Sequence, residues 1–322
     1  MTGTGTASSS AQADPPAPEL EQRVLGRTGL RVSVLGLGGA GIAGLYREFQ
    51  DDEAAAGVVR AALDAGITYI DTAPLYGKGA SERRIGLALR GHPARRRCVV
   101  ATKLGYVPED FDFSAAATRR SVAASMERLG LDHLPLIQIH ELRAEIWDAV
   151  MAPGGAMDAL TELRRQGVVG HIGATSSDEA TLRRVLDDAP EAFETLFIWR
   201  HFTLLDPRFG AEILPRAAER GLGIIVGTPF AGGLLASGSG TGAKYFYRDA
   251  PPEALARTRQ LEERCATAGV PLGAAALHFC LRGPGVGVVV AGADSAAHVR
   301  ANVELLRTPV PPSLLTPPLP SS

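Results

Sequence analysis

Short apolar runs rich in β-branched residues alternate along this chain with longer stretches whose apolar positions recur at helical spacing. The runs at 33–38, 67–72 (ITYIDT), 98–103 (CVVATK), 136–140 (LIQIH), 169–174 (VGHIGA), 195–199 (TLFIW), 223–228 (GIIVGT) and 286–291 (VGVVVA) have the length and hydrophobicity of parallel strands buried on both faces. The stretches between them, such as DEAAAGVVRAALDAG, AAATRRSVAASMERLG, MDALTELRRQG and DEATLRRVLDD, gather Ala, Leu and Val on one helical face. Several end in Gly, which easily takes the left-handed conformation that closes a helix. Such units in series, with no break in composition, predict an α/β fold: one closed (β/α)8 barrel of the TIM type rather than a doubly wound sheet with a second domain. Ahead of the first unit, RVLGRTGLRV at 23–32 places Thr28 and Gly29 between two apolar pieces, the pattern of a hairpin placed to cap the bottom of the barrel.

The two ends lack this pattern. Residues 1–22 have neither the basic nor the apolar region of a secretion signal or anchor, and PVPPSLLTPPLPSS at 309–322 is poor in backbone donors. Both are expected to be disordered tails around a folded domain at 23–308. With 33 Lys and Arg against 35 Asp and Glu, the chain lacks the basic footprint that nucleic-acid binding needs. A small-molecule partner is expected, with no nucleic acid or membrane, for a cytoplasmic monomer or small homo-oligomer. Cys98, Cys265 and Cys280 are far apart and form no CxxC pair, which argues for reduced thiols and against a disulfide framework or zinc site.

Some motifs do not survive inspection of their context. GLGGAG at 36–41 has the spacing of a dinucleotide fingerprint, but IAGLYREFQ separates it from the helix expected near Asp51 or Asp52, whereas the fingerprint must open a helix directly. ASGSGTGAK at 236–244 lacks the GK[ST] ending of a phosphate loop and reads as a flexible loop. His278 and Cys280 are two apart in a helical stretch, so they do not share a face as metal ligands would, and they read as core residues. The arginines at 95–97 read as solvated surface.

The informative set is Asp71, Tyr76, Lys103 and His140. Three lie at the C-terminal ends of consecutive expected strands and Tyr76 follows the first of them, so a barrel would bring all four to its active-site face. Taken singly, they could be a turn residue, a surface aromatic, an exposed charge and a strand-end histidine. Together they make chemical sense. A free tyrosine, with a pKa of about 10, is a poor base at neutral pH, but an ammonium at ~4 Å in an effective dielectric near 20 attracts its phenolate by about 4 kcal/mol before desolvation, enough to lower that value by as much as about three. Asp71 would hold Lys103 charged and aimed, and His140 would hydrogen-bond the substrate oxygen. This suits proton transfer at an oxygen whose carbon gains or loses a hydride, and it needs no metal.

DTAPLYGKGASERRIGLAL at 71–89 closely resembles the aldo-keto reductase signature, and VVATK, IQIH and RVLGRTGLRVSVLGLG match further blocks of that family in order. The resemblance spans nearly the whole expected domain. It implies that the four residues form the family's catalytic tetrad, with Tyr76 the general acid in reduction and the general base in oxidation. GGAGIAGLYREFQDDEA at 38–54, KYFYRDAPPEALAR and GVPLGAAALHFCLRGPGV resemble the branch containing D-threo-aldose 1-dehydrogenase, L-fucose dehydrogenase and pyridoxal 4-dehydrogenase. Family positions for NAD(P)(H) then fall on Gly38, Gly39, Thr175, Ser176, Phe202, Thr228, Pro229, Phe230, Gly232, Leu234, Gly292, Asp294, His298 and Asn302, and those for substrate on Tyr46, Trp199, His201 and Phe230. There are departures. Phe202 stands where a tyrosine usually stacks on nicotinamide, Trp199 and His201 replace smaller or amide-bearing residues, and the HELR after the fourth strand is unusual. Asp294 lies where many members set a basic residue against the 2′-phosphate of NADP, which favours NAD(H).

The expected function is NAD(P)-dependent hydride transfer at a carbonyl or hemiacetal carbon of an aldose, aldehyde or alcohol. The alternatives are a tailoring reductase for a larger, flatter substrate, suggested by Trp199 and Phe202, and a non-catalytic nicotinamide-sensing subunit, which would not need to keep the tetrad.

Overall fold

A computed structural model describes residues 19–317 except 46, 106–111 and 247. After a hairpin of β1 (Gln22–Val24) and β2 (Arg31–Ser33), eight strands close into a parallel barrel: β3 (Leu35–Gly38), β4 (Tyr69–Asp71), β5 (Val99–Leu104), β6 (Leu134–Ile139), β7 (Val169–Ser176), β8 (Thr195–Ile198), β9 (Gly223–Gly227) and β12 (Val286–Gly292), which pairs with both β9 and β3. β10 (Lys244–Tyr245) and β11 (Arg248–Asp249) form a small ribbon in the loop after β9. Around the barrel run α1 (Gly39–Ile42), α2 (Asp52–Asp64), α3 (Ala80–Leu89), α4 (Ala115–Leu129), α5 (Ala144–Met151), α6 (Ala156–Arg165), α7 (Glu179–Asp188), α8 (Ile213–Glu219), α9 (Leu234–Ser237), α10 (Pro252–Thr267), α11 (Leu272–Leu281) and α12 (Ala296–Arg307).

All eight expected barrel strands form, with one correction. The run at 33–38 divides at Val34, because the Ser33 N–H donates to Thr68 Oγ1 (2.8 Å) and its hydroxyl to the Leu35 carbonyl (2.7 Å), which ends the hairpin before the barrel begins. The one-turn α1 follows β3 directly, and α2 starts only at Asp52, capped by Asp51, whose side chain accepts from the Ala54 N–H at 2.7 Å. Ser114, Asp178 and Ser295 cap α4, α7 and α12 in the same way, satisfying N–H groups that the first helical turn leaves without partners.

The period-2 alternation of each strand fills the barrel with side chains. Tyr69, Val99, Ala101, Leu136, Phe197, Ile225, Val288 and Val290 form one buried cluster, closed from below by Leu25 and Val32 of the hairpin. The hairpin therefore caps the bottom, as its sequence predicts. Gly227 is required beside Phe197, since a Cβ there would stand 2.5 Å from the ring. The packed chain also runs past the boundaries expected at 22/23 and 308/309. Leu20 is buried in the main core, and Pro312–Leu315 make a 3-10 turn that buries Leu314 while Arg264 donates to the carbonyls of Ser313 and Thr316. Proline forbids helix and strand interiors there but not a single turn. Residues 1–18 and 318–322 of the expected tails lie outside the described residues. Cys98, Cys265 and Cys280 are buried and free, and His278 bonds the Leu306 carbonyl at 2.9 Å. Among the described residues, no single helix is long and apolar enough to cross a membrane.

Candidate active site

Asp71, Lys103 and Gln138 occupy inward positions on β4, β5 and β6, one layer above Tyr69, Ala101 and Leu136, and all three are at most 2% exposed. Lys103 Nζ forms an ion pair with Asp71 Oδ1 and donates to the Thr72 carbonyl at 2.9 Å and to the Tyr76 hydroxyl at 3.5 Å. Gln138 Nε2 donates to the other Asp71 oxygen at 3.1 Å. The His140 ring stands edge-on to Tyr76, with centroids 5.8 Å apart. The expected tetrad is thus assembled at one mouth. Gln138 is a fifth buried polar group beside these four that the sequence did not single out, although alternation from His140 points to it.

Burial sets the electrostatics. It pushes the Asp71 carboxyl up and the Lys103 ammonium down, and each group is drawn back toward its charged form by the other. Burial, reinforced by the Lys103 charge, holds His140 well below the ordinary histidine range. The imidazole is therefore neutral near pH 7, able to donate one N–H to a substrate oxygen without bringing a charge. Glu82, also fully buried, accepts from Thr102 Oγ1 (2.6 Å) and Arg128 Nε (2.6 Å), locking α3 and α4 behind β5.

The rim stores backbone strain. Among the described residues, the non-glycine positions with left-handed φ are Lys78, Glu141, Arg200, Thr228, Ala231 and Phe246, and every one lies in a loop after a barrel strand on the face that carries the tetrad. Each costs on the order of 1–3 kcal/mol, and such residues cluster where function constrains the chain. Glu141 is clamped twice: its N–H donates to Thr175 Oγ1 (2.7 Å), and its Oε1 accepts from Trp199 Nε1 (2.5 Å). The Arg200 guanidinium stacks over the Trp199 ring at 4.6 Å.

The other expected positions divide. Thr175 and Ser176 are buried with hydroxyls engaged with the loop after β6, Ser176 Oγ donating to the Leu142 carbonyl at 2.9 Å. Phe202 is not brought to the mouth. Its ring is buried against Phe279, centroids 5.0 Å apart, in the outer helical layer, because β8 ends at Ile198 and the chain turns outward through Arg200. Trp199, packed on the barrel-interior cluster, is the aromatic that faces inward. His201 bonds Asp206 (2.8 Å) and packs edge-on against Phe209, also outside the tetrad. Tyr46 lies outside the described residues. Gly38 ends β3, and Gly39 is required beside it, since a Cβ would meet the Asp71 carbonyl and Ser81 Oγ at 2.7 Å.

The remaining residues fit a nicotinamide dinucleotide. After β9, the chain runs through Thr228, buried Pro229, half-buried Phe230 and Gly232 to Gly233, where the space a Cβ would take is open, and then to buried Leu234. β12 ends at exposed Gly292, whose carbonyl accepts from Asn302 Nδ2 at 3.2 Å, and beyond it lies the N-terminus of twelve-residue α12, which favours a phosphate through its N–H groups and dipole. Asp294 stands before that terminus, paired with His298 at 2.7 Å.

Comparison with known proteins agrees. The aldo/keto reductase family profile matches residues 34–314. Pyridoxal 4-dehydrogenase of Microbacterium luteolum is 33% identical over 92% of this chain and 96% of its own, and D-threo-aldose 1-dehydrogenase of a Pseudomonas species is 36% identical over 89% and 93%. The holo form of an aldo-keto reductase from Bacillus halodurans superposes with a TM-score of 0.76 at 28% identity, covering 92% of this chain and 94% of that one. With barrel, assembled tetrad and family profile in accord, the chain belongs to the aldo/keto reductase family and is an NAD(P)-dependent oxidoreductase.

Proposed function

We propose that the protein oxidises the hemiacetal or alcohol carbon of a small hydroxylated substrate, an aldose or a pyridoxal-like compound, or runs the reverse reduction, with Tyr76 as proton relay. The observation that carries the reading is Lys103 Nζ, set between the Asp71 carboxylate and the Tyr76 hydroxyl at 3.5 Å. The nicotinamide ring supplies the hydride acceptor or donor. In oxidation the Tyr76 phenolate takes the hydroxyl proton as the carbon gives up hydride; in reduction the phenol returns it. Lys103 stabilises the phenolate, Asp71 and Gln138 hold Lys103, and neutral His140 donates to the substrate oxygen.

NAD(H) is the favoured cofactor, because the Asp294 carboxylate repels a 2′-phosphate and can accept from a free ribose hydroxyl. The substrate class follows from the similarity to an aldose dehydrogenase and a pyridoxal dehydrogenase. The protein is read as a cytoplasmic monomer or small homo-oligomer, with neither nucleic acid nor membrane as partner. Steady-state rates at the NAD(P)H absorbance band, with both cofactors against aldoses, pyridoxal and simple aldehydes, test the reading. Turnover of a hydroxylated substrate with higher kcat/KM for NAD(H) is expected; turnover of none, despite cofactor binding, would leave the tailoring-reductase and nicotinamide-sensing readings.

A further inference from the structure

Glu141 is the one acidic side chain next in sequence to the tetrad, and the proton relay does not use it. Its backbone is held left-handed (φ 50°) by the bond from its N–H to Thr175 Oγ1, and the Trp199 indole N–H fixes carboxylate Oε1 at 2.5 Å. Two residues, 34 and 58 positions away, are thus spent on holding this one, its backbone by Thr175 and its carboxylate by Trp199. No salt bridge to Glu141 is formed among the described residues. Nor is a second hydrogen bond formed to the carboxylate among them, which leaves Oε2 for another donor. Over the face of the same indole lies Arg200, whose guanidinium also stacks on Phe246 at 5.5 Å, and whose Nε is buried with no hydrogen-bond partner. The rim of the barrel interior therefore carries an anionic acceptor at the edge of one aromatic ring and a cationic donor over its face. A hydroxyl group, which both donates and accepts, matches that pair. Burial raises the Glu141 carboxyl, and the bond from Trp199, followed by the charges of Arg143, Arg200 and Lys103, draws it back toward the carboxylate.

We propose that Glu141 determines specificity: its Oε2 accepts a hydrogen bond from a substrate hydroxyl away from the reacting carbon, selecting neutral polyhydroxylated substrates and repelling anionic ones. The inference rests on the proposed oxidoreduction of hydroxylated compounds and names the group that recognises them.

The test compares kcat/KM for three substrates in the full-length protein: an aldose, butyraldehyde as an aldehyde without hydroxyls, and a uronic acid as the anionic counterpart. Glu141→Gln preserves shape and can still accept from Trp199. It lowers the aldose-to-butyraldehyde ratio by about 10- to 100-fold, the loss that accompanies one hydrogen bond to a charged acceptor, mostly through KM. It raises the uronate-to-aldose ratio by about tenfold or more. Trp199→Phe, which frees Oε1 without touching the carboxylate, shifts the first ratio in the same direction and keeps the test open if Glu141→Gln fails to fold. Equal losses on all three substrates would assign Glu141 to bracing the loop and overturn the proposal. A wild-type protein inactive on all three would instead overturn the proposed function, and this inference with it.

Discussion

Replacing Lys103 with methionine keeps the volume of the side chain and removes its charge from the centre of the relay. The ammonium stands 3.5 Å from the Tyr76 hydroxyl, so at an effective dielectric of about 20 its attraction for the phenolate is about 4.7 kcal/mol, a factor of about 3,000 in favour of the charged form. Desolvation returns part of this, and half of it still corresponds to about 50-fold. At pH 7 an unassisted phenol is ionised to about one part in 1,000, so Lys103→Met should lower kcat in the oxidative direction there by between about 50- and 1,000-fold. The rate should recover as pH rises, because the unassisted phenol ionises only near its ordinary value of about 10 or above. The assay is kcat against pH from 6 to 10.5, read as NAD(P)H formation, beside the wild type. The variant also strands a buried carboxylate at Asp71, which costs about 3–5 kcal/mol and lowers Tm. Asp71→Asn/Lys103→Met relieves that charge and should recover most of the Tm but none of the rate. A loss below threefold with an unmoved pH profile would refute the assignment of Lys103 to tuning Tyr76.

Three further outcomes are expected. His140 is held neutral in the folded protein, while in the unfolded chain it takes a proton near pH 6.5, so its share of stability is complete above that pH and is lost as pH falls below it, by about 1.4 kcal/mol per pH unit. Unfolding in denaturant at pH 7.0 and 5.5 should show a smaller drop for His140→Gln than for the wild type, and equal drops would contradict the neutral imidazole. Burial pushes the Cys98 thiol up to about 12 and raises Cys265 and Cys280, so at pH 8 none of the three should react with a disulfide reagent as fast as free cysteine until the protein is denatured. Asp294→Ser removes the charge set against a 2′-phosphate and should raise the NADPH-to-NADH ratio of kcat/KM by about five- to tenfold; an unchanged ratio would place Asp294 away from the ribose.

The barrel and its tetrad were legible because both rest on periodicity. Eight buried runs predict the strands, and residues 71, 103 and 140 fall at strand ends whatever the details of the helices. Gln138 carries the same signal, two residues before His140 on the same face, but within LIQIH it looks like a polar interruption until its partner Asp71 is seen. Glu141 was visible only as an oddity of HELR, because what gives it a role, Trp199, is 58 residues away and meets it only across the barrel mouth. The placement of Phe202 failed for a backbone reason: Arg200 in the left-handed region swings the chain outward after Trp199, a conformation that an arginine does not advertise. The ends misled in the opposite sense, since Leu20 and Leu314 each find a buried site from within stretches whose composition argues against regular structure.

The central claim, that Tyr76 moves the proton beside a hydride transfer, is tested most directly by Tyr76→Phe. The hydroxyl it removes accepts from Lys103 Nζ at 3.5 Å, and the ring is not part of the barrel-interior cluster, so the fold, measured by Tm, and the cofactor Kd, measured by quenching of tryptophan fluorescence, should stay near wild type. The account predicts that kcat for the best hydroxylated substrate falls by at least about 10³-fold at every pH from 6 to 10, within the range by which positioned general acids and bases accelerate a reaction. Turnover within tenfold of wild type, with the same pH profile, would contradict it.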